Sequence, residues 1–438
     1  MWRVCGWIWL WIALLAWWGC GKPVEPAGGF AQLLKQAHDG NVTAQSRVGV
    51  GYHNGAGVAQ DHAEAFKWLS KAAAQGHEFS QYSVGRMHLL GTGRPRDLTK
   101  AAEWLRRAAE QGYTSAQNDL GAMYQNGDGV EQNATQAVAW YQKAADQGDA
   151  DAQHNLGLLY FKGVGVAQDS KKAAHWVGRA AELGKTGAQF DFGVMYAAGR
   201  GVAQDMTLAA QWHRRAAEGG LVKAQVELAV LYKTGQGVQR NLTESYKWMS
   251  RAAAKGHPVA LLNQGLMTER GEGTAQNFEK AARLYRVLAD RGDAQAQLYL
   301  ANLYRDGRGV EKNPVEGEKW LRKSAGQGLL DAQNQLGVMY TKDDEVAQDF
   351  TEAIKWLRKA ADQGSPVAQY NLADLYQQGK GVKRDLVEAC FWLVLSEQRE
   401  FAPARAARQK LLDKLTPDQQ ANVDRRIRAW SAKKAHKE

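Results

Sequence analysis

The chain repeats itself every 36 residues, and this regularity constrains its fold more than any other feature. The dipeptide Ala-Gln marks the same position in eight repeats, at Ala44, Ala116, Ala152, Ala188, Ala224, Ala296, Ala332 and Ala368. Ser80-Gln81 and Ala260-Leu261 occupy that position in two others, so residues 41–400 hold ten repeats without an insertion. A chain of 438 residues normally divides into several globular domains. Stacked repeats avoid that limit because each one packs only on its neighbours.

Each repeat predicts two helices. In the third repeat Ala116, Leu120 and Tyr124 recur at four-residue spacing, so they share one face of a first helix. A Gly-x-Gly loop ends that helix, and Trp140 and Ala144 share one face of a second. Asp and Asn cap exposed N–H groups at helix starts. One of them precedes the second helix in every repeat, at Asp61, Asp97, Asn133, Asp169, Asp205, Asn241, Asn277, Asn313, Asp349 and Asp385.

Tryptophan recurs at one position of the second helix. It is present in nine repeats, at Trp68, Trp104, Trp140, Trp176, Trp212, Trp248, Trp320, Trp356 and Trp392. The seventh repeat has Leu284 instead. A large aromatic side chain at a constant helical phase is typical of a core between repeats, and we predict that role. The alternative is a ladder of rings on which a ligand stacks.

These motifs resemble those of the Sel1-like repeat family, a branch of the tetratricopeptide-like helical repeats. One unit reads AQHNLGLLYFKGVGVAQDSKKAAHWVGRAAELG, and the resemblance covers about 360 of the 438 residues. It implies an all-α fold, a right-handed superhelical solenoid of αα-hairpins with a concave groove. It also implies a role as an adaptor for protein complexes, often at the bacterial envelope, and no common ligand.

The two ends of the chain differ from the repeats. Residues 1–19 combine a positive start with an apolar run, which predicts a signal peptide. Gly19-Cys20 resembles a bacterial lipoprotein processing site, so we expect lipidation at Cys20 and export to the periplasm or outer membrane. An uncleaved membrane anchor is the alternative. We predict a linker over 20–29, a capping helix over 30–40, capping helices over 401–430 and a basic tail over 431–438.

Catalytic chemistry is not indicated, and we expect neither an enzyme, a cofactor nor a metal site. The mature chain keeps one cysteine besides Cys20, Cys390, which we assign to the core. A cysteine-rich branch of the family resembles penicillin-binding hydrolases, but its paired cysteines are missing from the sequence. His77 and His257 share a column that predicts helix capping. No strand is predicted before the Gly-x-Gly loops, which favours turns over phosphate sites.

Two surfaces are candidates for a partner, whose identity the sequence leaves open. An apolar groove is predicted at Phe190, Val194, Val226, Val230, Leu262, Leu266 and Leu298. A basic ridge is predicted along the second helices at Arg107, Lys143, Arg179, Arg215 and Arg251. The groove favours an adaptor for a protein or peptide, with ordinary packing between helices as the alternative.

The ridge favours a scaffold of polysaccharide or peptidoglycan machinery that contacts an anionic envelope polymer. Alternatively, its cations oppose the helix dipole and cover the tryptophans. Export argues against nucleic acid as a partner, and a lipid anchor would be the only membrane contact.

Overall fold

The computed structural model describes residues 28–343 and 346–435, and it is helical throughout this part, with no strand. The predicted signal peptide and Cys20 lie outside the described residues. Residues up to 215 and from 216 onward form two compact units. Helices of the N-terminal unit are α1 Gly28–His38, α2 Val42–Asn54, α3 His62–Ala74, α4 Glu78–Leu90, α5 Leu98–Glu110, α6 Thr114–Asn126, α7 Ala134–Asp146, α8 Ala150–Lys162, α9 Ser170–Glu182, α10 Thr186–Ala198 and α11 Met206–Glu218, which continues past residue 215.

The C-terminal unit continues the same alternation. Its further helices are α12 Val222–Thr234, α13 Leu242–Ala254, α14 Pro258–Arg270, α15 Phe278–Ala289, α16 Ala294–Asp306, α17 Pro314–Gly326, α18 Leu330–Met339, α19 Phe350–Asp362, α20 Pro366–Gln378, α21 Leu386–Glu397, α22 Ala402–Leu412 and α23 Pro417–Ala435. Even numbers from α2 to α20 are first helices, and the following odd numbers are second helices. Within each unit a first helix packs on its own second helix, which packs on the next first helix. The predicted all-α solenoid of αα-hairpins is therefore confirmed.

All ten predicted caps of the second helices form. Each Asp or Asn side chain accepts a hydrogen bond of 2.8–3.0 Å from a backbone N–H two or three residues on. Among the first helices, His77 caps as predicted, since its Nδ1 accepts from the Ser80 N–H at 3.3 Å. The same prediction for His257 is wrong, because its side chain makes no capping hydrogen bond.

The tryptophan column lies in the core, as predicted. Seven of the nine side chains are 2–9 % exposed, and Trp104 and Trp212 are half-buried. The Gly-x-Gly loops are turns that pack between repeats. Gly91 ends α4 in the left-handed conformation, with φ 73°, and a Cβ on Gly93 would collide with the His62 carbonyl oxygen of the preceding repeat. Gly91 is thus required by the turn itself, and Gly93 by the packing of one repeat on the next.

A ladder of glutamines joins the repeats. The Gln of the Ala-Gln dipeptide, or of Ser80-Gln81 in the second repeat, donates its Nε2 to the carbonyl oxygen eight residues earlier in nine repeats, at 3.0–3.2 Å. In five repeats its Oε1 accepts from a second Gln 30 residues on, as Gln117 does from Gln147 at 2.7 Å. Position 183 holds Leu instead of that second Gln, and the Oε1 of Gln153 is buried without a partner. The ladder therefore satisfies buried backbone carbonyls at the turn between helices.

The C-terminal cap consists of α22 and α23, which both pack on α21. Ala404 on α22 continues the 36-residue register of Ala44, and it is fully buried. Trp430 on α23 packs against Trp392, with ring centroids 5.6 Å apart. Helix α23 continues to Ala435, five residues into the predicted basic tail, and α1 begins at residue 28 rather than 30. These helices cover the apolar ends of the stack, as terminal repeats must.

Candidate functional site

Within each unit the predicted groove residues lie on one side of the first helices, and we call this side the first-helix face of that unit. In the C-terminal unit Val226 and Val230 are one turn apart on α12, and Leu262 and Leu266 are one turn apart on α14. Val230 is 40 % exposed, and the other three side chains are half-buried. Leu298 on α16 is only 3 % exposed, so it belongs to the core rather than to an open surface. The two helices therefore present apolar surface to solvent.

In the N-terminal unit the same face is mostly polar. Phe190 is half-buried and Val194 is 42 % exposed, both on α10. The earlier first helices are joined by polar pairs. Arg86 Nη1 lies 3.4 Å from Asp119 Oδ2, and His154 Nε2 lies 2.7 Å from Asp191 Oδ2. Asp151 and Lys185 form a third pair.

Burial governs the titration of two groups beside this face. Burial raises the pKa of Asp119, although the Arg86 guanidinium opposes that shift. The His213 imidazole occupies a core position, 4 % exposed, and burial lowers its pKa to about 4. Its ring lies 5.2 Å from that of Phe190. His213 is therefore neutral near pH 7 and acts as an apolar core side chain.

The ridge cations lie over tryptophan rings. Arg107, Lys143, Arg179, Arg215 and Arg251 each sit three residues after a Trp, with the cation 4.0–5.9 Å from the ring centroid. Lys71, Lys323 and Lys359 repeat the arrangement at 3.8–4.3 Å. In the seventh repeat Leu284 replaces the Trp and Val287 replaces the cation together. The contact recurs in eight repeats, which indicates that the cation serves the ring by a cation–π interaction, although the tenth repeat keeps Trp392 with Leu395 at the cation position.

Two polar pairs on the first-helix face were missed by the sequence reasoning. Asn155 on α8 donates its Nδ2 to Asn118 Oδ1 on α6 at 3.3 Å. Asn371 on α20 donates in the same way to Asn334 on α18 at 3.1 Å. The second pair lies 216 residues after the first, which is six repeats. The sequence could have indicated these pairs through their spacing, because both pairs occupy the same two columns of the repeat.

The architecture defines an all-α repeat scaffold, and its repeats identify the family. The Sel1 repeat model matches ten times, over residues 42–77, 79–113, 114–149, 150–185, 186–221, 222–257, 258–293, 294–329, 330–365 and 366–396. The chain therefore belongs to the Sel1 repeat family, whose members are generally scaffolds for protein interactions.

Two solved structures are similar over much of the chain. The c5321 protective antigen of uropathogenic Escherichia coli, which displays an SLR fold, is 32 % identical with a TM-score of 0.79. The alignment covers 92 % of this chain and 94 % of that one. A Sel1 repeat protein from Oxalobacter formigenes is 30 % identical with a TM-score of 0.55, covering 75 % and 99 %. No curated protein matches the chain. Among the described residues, no helix has the length and apolar character of a membrane span.

Proposed function

We propose that this protein is a non-catalytic adaptor of the bacterial cell envelope that binds a protein or peptide partner on the first-helix face. The observation that carries the proposal is the apolar surface of α12 and α14. Val230 remains 40 % exposed there, beside half-buried Val226, Leu262 and Leu266. Covering exposed apolar surface of this kind with a partner lowers the free energy and so favours binding.

The envelope location rests on the N-terminal sequence and on a relative. Gly19-Cys20 closes an apolar run, which suits a lipoprotein signal and a lipid anchor on Cys20. The similar Escherichia coli protein is described as a protective antigen. Export of this chain would agree with that description. We therefore propose the periplasm or the outer membrane as its location.

Contact of the basic ridge with an anionic envelope polymer is the second candidate. Lys and Arg outnumber Asp and Glu by 56 to 46, which favours anionic partners in general. The ridge cations, however, have a structural role on the tryptophan rings. The cation–π contacts that recur in eight repeats at 3.8–5.9 Å support that role. We therefore rank the polymer scaffold below the adaptor.

Paired variants and a salt series distinguish the two surfaces. The partner is first isolated from cross-linked envelopes, and its affinity is then measured for two variants. Val194→Asp with Val230→Asp alters one exposed apolar side chain in each unit. Lys143→Glu with Arg251→Glu alters one ridge cation in each unit and serves as the matched control. Charge interactions are screened over about 8 Å at physiological ionic strength, so ridge binding should weaken steeply with salt.

If the protein is an adaptor, only the valine variant should bind the partner more weakly, and the affinity of the parent protein should change little with salt. A loss confined to the ridge variant, with steep salt dependence, would instead support the polymer scaffold. Unchanged binding by both variants, each with parent-like circular dichroism, would exclude both surfaces.

A further inference from the structure

A pocket of about 490 Å³ opens on helix α9 in the N-terminal unit. We call it the α9 pocket, and it is lined by Lys171, His175, Gly178, Arg179, Phe192 and Val202. Its volume falls within the usual range of small-molecule sites, about 300–1,000 Å³. The Phe192 ring belongs to a core cluster on which Val202 packs, whereas the charged lining residues are exposed. The α9 pocket therefore has an apolar floor and a charged rim.

The α9 pocket lies where a long side chain is missing. The position of Gly178 holds arginine in five other repeats, at Arg106, Arg214, Arg286, Arg322 and Arg358. In three of these repeats the arginine donates to a tyrosine 18 residues on, as Arg106 Nη2 does to the Tyr124 hydroxyl at 2.9 Å. Such an arginine covers the surface between two neighbouring helices. Gly178 has no side chain with which to reach the equivalent Tyr196.

The size of Phe192 explains why residue 178 is glycine. A Cβ on Gly178 would lie 2.9 Å from Phe192 Cζ, which is closer than packed carbon atoms approach. Each of the five arginines is instead followed, 14 residues on, by a leucine, at Leu120, Leu228, Leu300, Leu336 and Leu372. Gly178 and Phe192 are therefore one combined departure from the repeat pattern. It exchanges a covering arginine for an open pocket with an aromatic floor.

The rim of the α9 pocket is basic. Lys171, His175 and Arg179 follow one another at four-residue spacing, so they share one exposed face of α9. Among the described residues none of the three has an ion-pair partner. Arg179 also stands farther from its tryptophan ring than the seven equivalent cations do, at 5.9 Å against 3.8–4.5 Å. Glu182 is the acidic residue of the lining, so two cations and a histidine outnumber it.

This lining favours a ligand that combines a ring with an anionic group. An uncharged ring would leave the two cations without a partner, and a hydrated inorganic anion would leave the apolar floor uncovered. Lys171 and Arg179 lie about 12 Å apart along the helix axis, with His175 between them, so their long side chains can converge on one anion. A guanidinium binds a carboxylate or a phosphate through two parallel hydrogen bonds.

We propose that the α9 pocket binds a small aryl anion, that is, a ring that carries a carboxylate or a phosphate group. The ring packs on Phe192 and Val202, and the anionic group accepts hydrogen bonds from Arg179 and Lys171. No residue of the α9 pocket belongs to the predicted groove. The inference therefore goes beyond the adaptor role and does not depend on it.

A double variant can close the pocket with residues that the chain already uses elsewhere. Gly178→Arg with Phe192→Leu restores the arginine–leucine combination of five other repeats. Gln142→Arg is the matched control, because it places arginine in the same column of the third repeat, 14 residues before Leu156.

A second double variant removes the charge and keeps the floor. Lys171→Gln with Arg179→Gln leaves Phe192 unchanged, and Arg107→Gln is the control for the loss of a cation from a tryptophan ring. Ligand-observed NMR titrations of the purified proteins measure binding, with benzoate, phenyl phosphate, phenol and benzylamine as probes.

We expect benzoate or phenyl phosphate to bind the parent with a dissociation constant of about 10 mM or lower, and about tenfold or more tightly than phenol and benzylamine. The tighter of the two anions identifies the anionic group. Each double variant should weaken that binding by about tenfold or more, and both controls should bind like the parent. Equal affinity for phenol and the anions, or no binding of either anion to the folded parent, would overturn the proposal. So would undiminished binding by either double variant with parent-like circular dichroism.

Discussion

The break in the glutamine ladder at Leu183 allows a stabilising substitution to be predicted. Gln153 has a buried Oε1 without a partner, whereas the equivalent Gln117 accepts from Gln147. Leu183 has φ −74° and ψ 3°, close to −83° and 1° at Gln147, so a Gln there would start from the same backbone. Leu183 is 59 % exposed, and its removal gives up little apolar burial. Leu183→Gln should therefore donate to Gln153.

The expected gain follows from the hydrogen bond that forms. A typical intramolecular hydrogen bond contributes about 1 kcal/mol net, and an unpaired buried acceptor costs about 1–3 kcal/mol. We expect Leu183→Gln to raise the free energy of unfolding by about 1 kcal/mol. The reverse change, Gln147→Met, removes an existing donor and should lower the free energy of unfolding by about 1–2 kcal/mol.

Urea denaturation followed by circular dichroism measures both changes, and amide hydrogen exchange in α8 and α9 localises them. Leu183→Met is the matched control, because methionine is unbranched and of similar length to glutamine but has no N–H donor. When Gln153→Met is already present, adding Leu183→Gln should not raise the free energy of unfolding. The reasoning is refuted if Leu183→Gln and Leu183→Met are equally stable, or if the gain persists without Gln153.

Three further changes test other parts of the account. Trp176→Ala should lower the free energy of unfolding by about 3–5 kcal/mol in urea denaturation, and a loss below about 1 kcal/mol would contradict a core role for this column. Burial lowers the pKa of His213 from 6.5 to about 4, so the unfolded state binds more protons between these values. The free energy of unfolding should therefore fall as the pH drops from 6.5 to 4. In thermal melts, His213→Leu should show a smaller fall over this range. Equal pH dependence in the parent and in His213→Leu would exclude His213 as its source. Cys20→Ser should move the protein from the membrane to the soluble fraction, and palmitate labelling that survives the change would rule out lipidation at Cys20.

The fold was predictable where the information is local. Asp61 and its nine equivalents cap the next helix within three residues, so a single column of the sequence identifies them. The tryptophan column is equally local, because helical phase decides which face is buried. The error at His257 is also local, because a histidine side chain at the start of a helix need not point toward the free backbone N–H groups.

The site was less predictable because it depends on contacts between repeats. Gln147 and Gln117 lie 30 residues apart in different columns, and either glutamine alone looks like a surface residue. Leu298 and Val226 occupy one column, yet Leu298 is buried and Val226 is half-exposed. A column gives the direction of a side chain, whereas the neighbouring repeat sets its exposure. The asparagine pairs escaped notice for the same reason, because each bond joins two repeats.

Site-specific photo-cross-linking in living cells tests the central claim, that the partner binds on the first-helix face. A benzoylphenylalanine placed at Val230 lies on that face at a position that is 40 % exposed. The same residue placed at Lys323 lies on the ridge, where the lysine sits 3.8 Å from the Trp320 ring centroid. The account predicts a discrete adduct, formed on irradiation, from position 230 and none from position 323. An adduct from position 323 alone would contradict it.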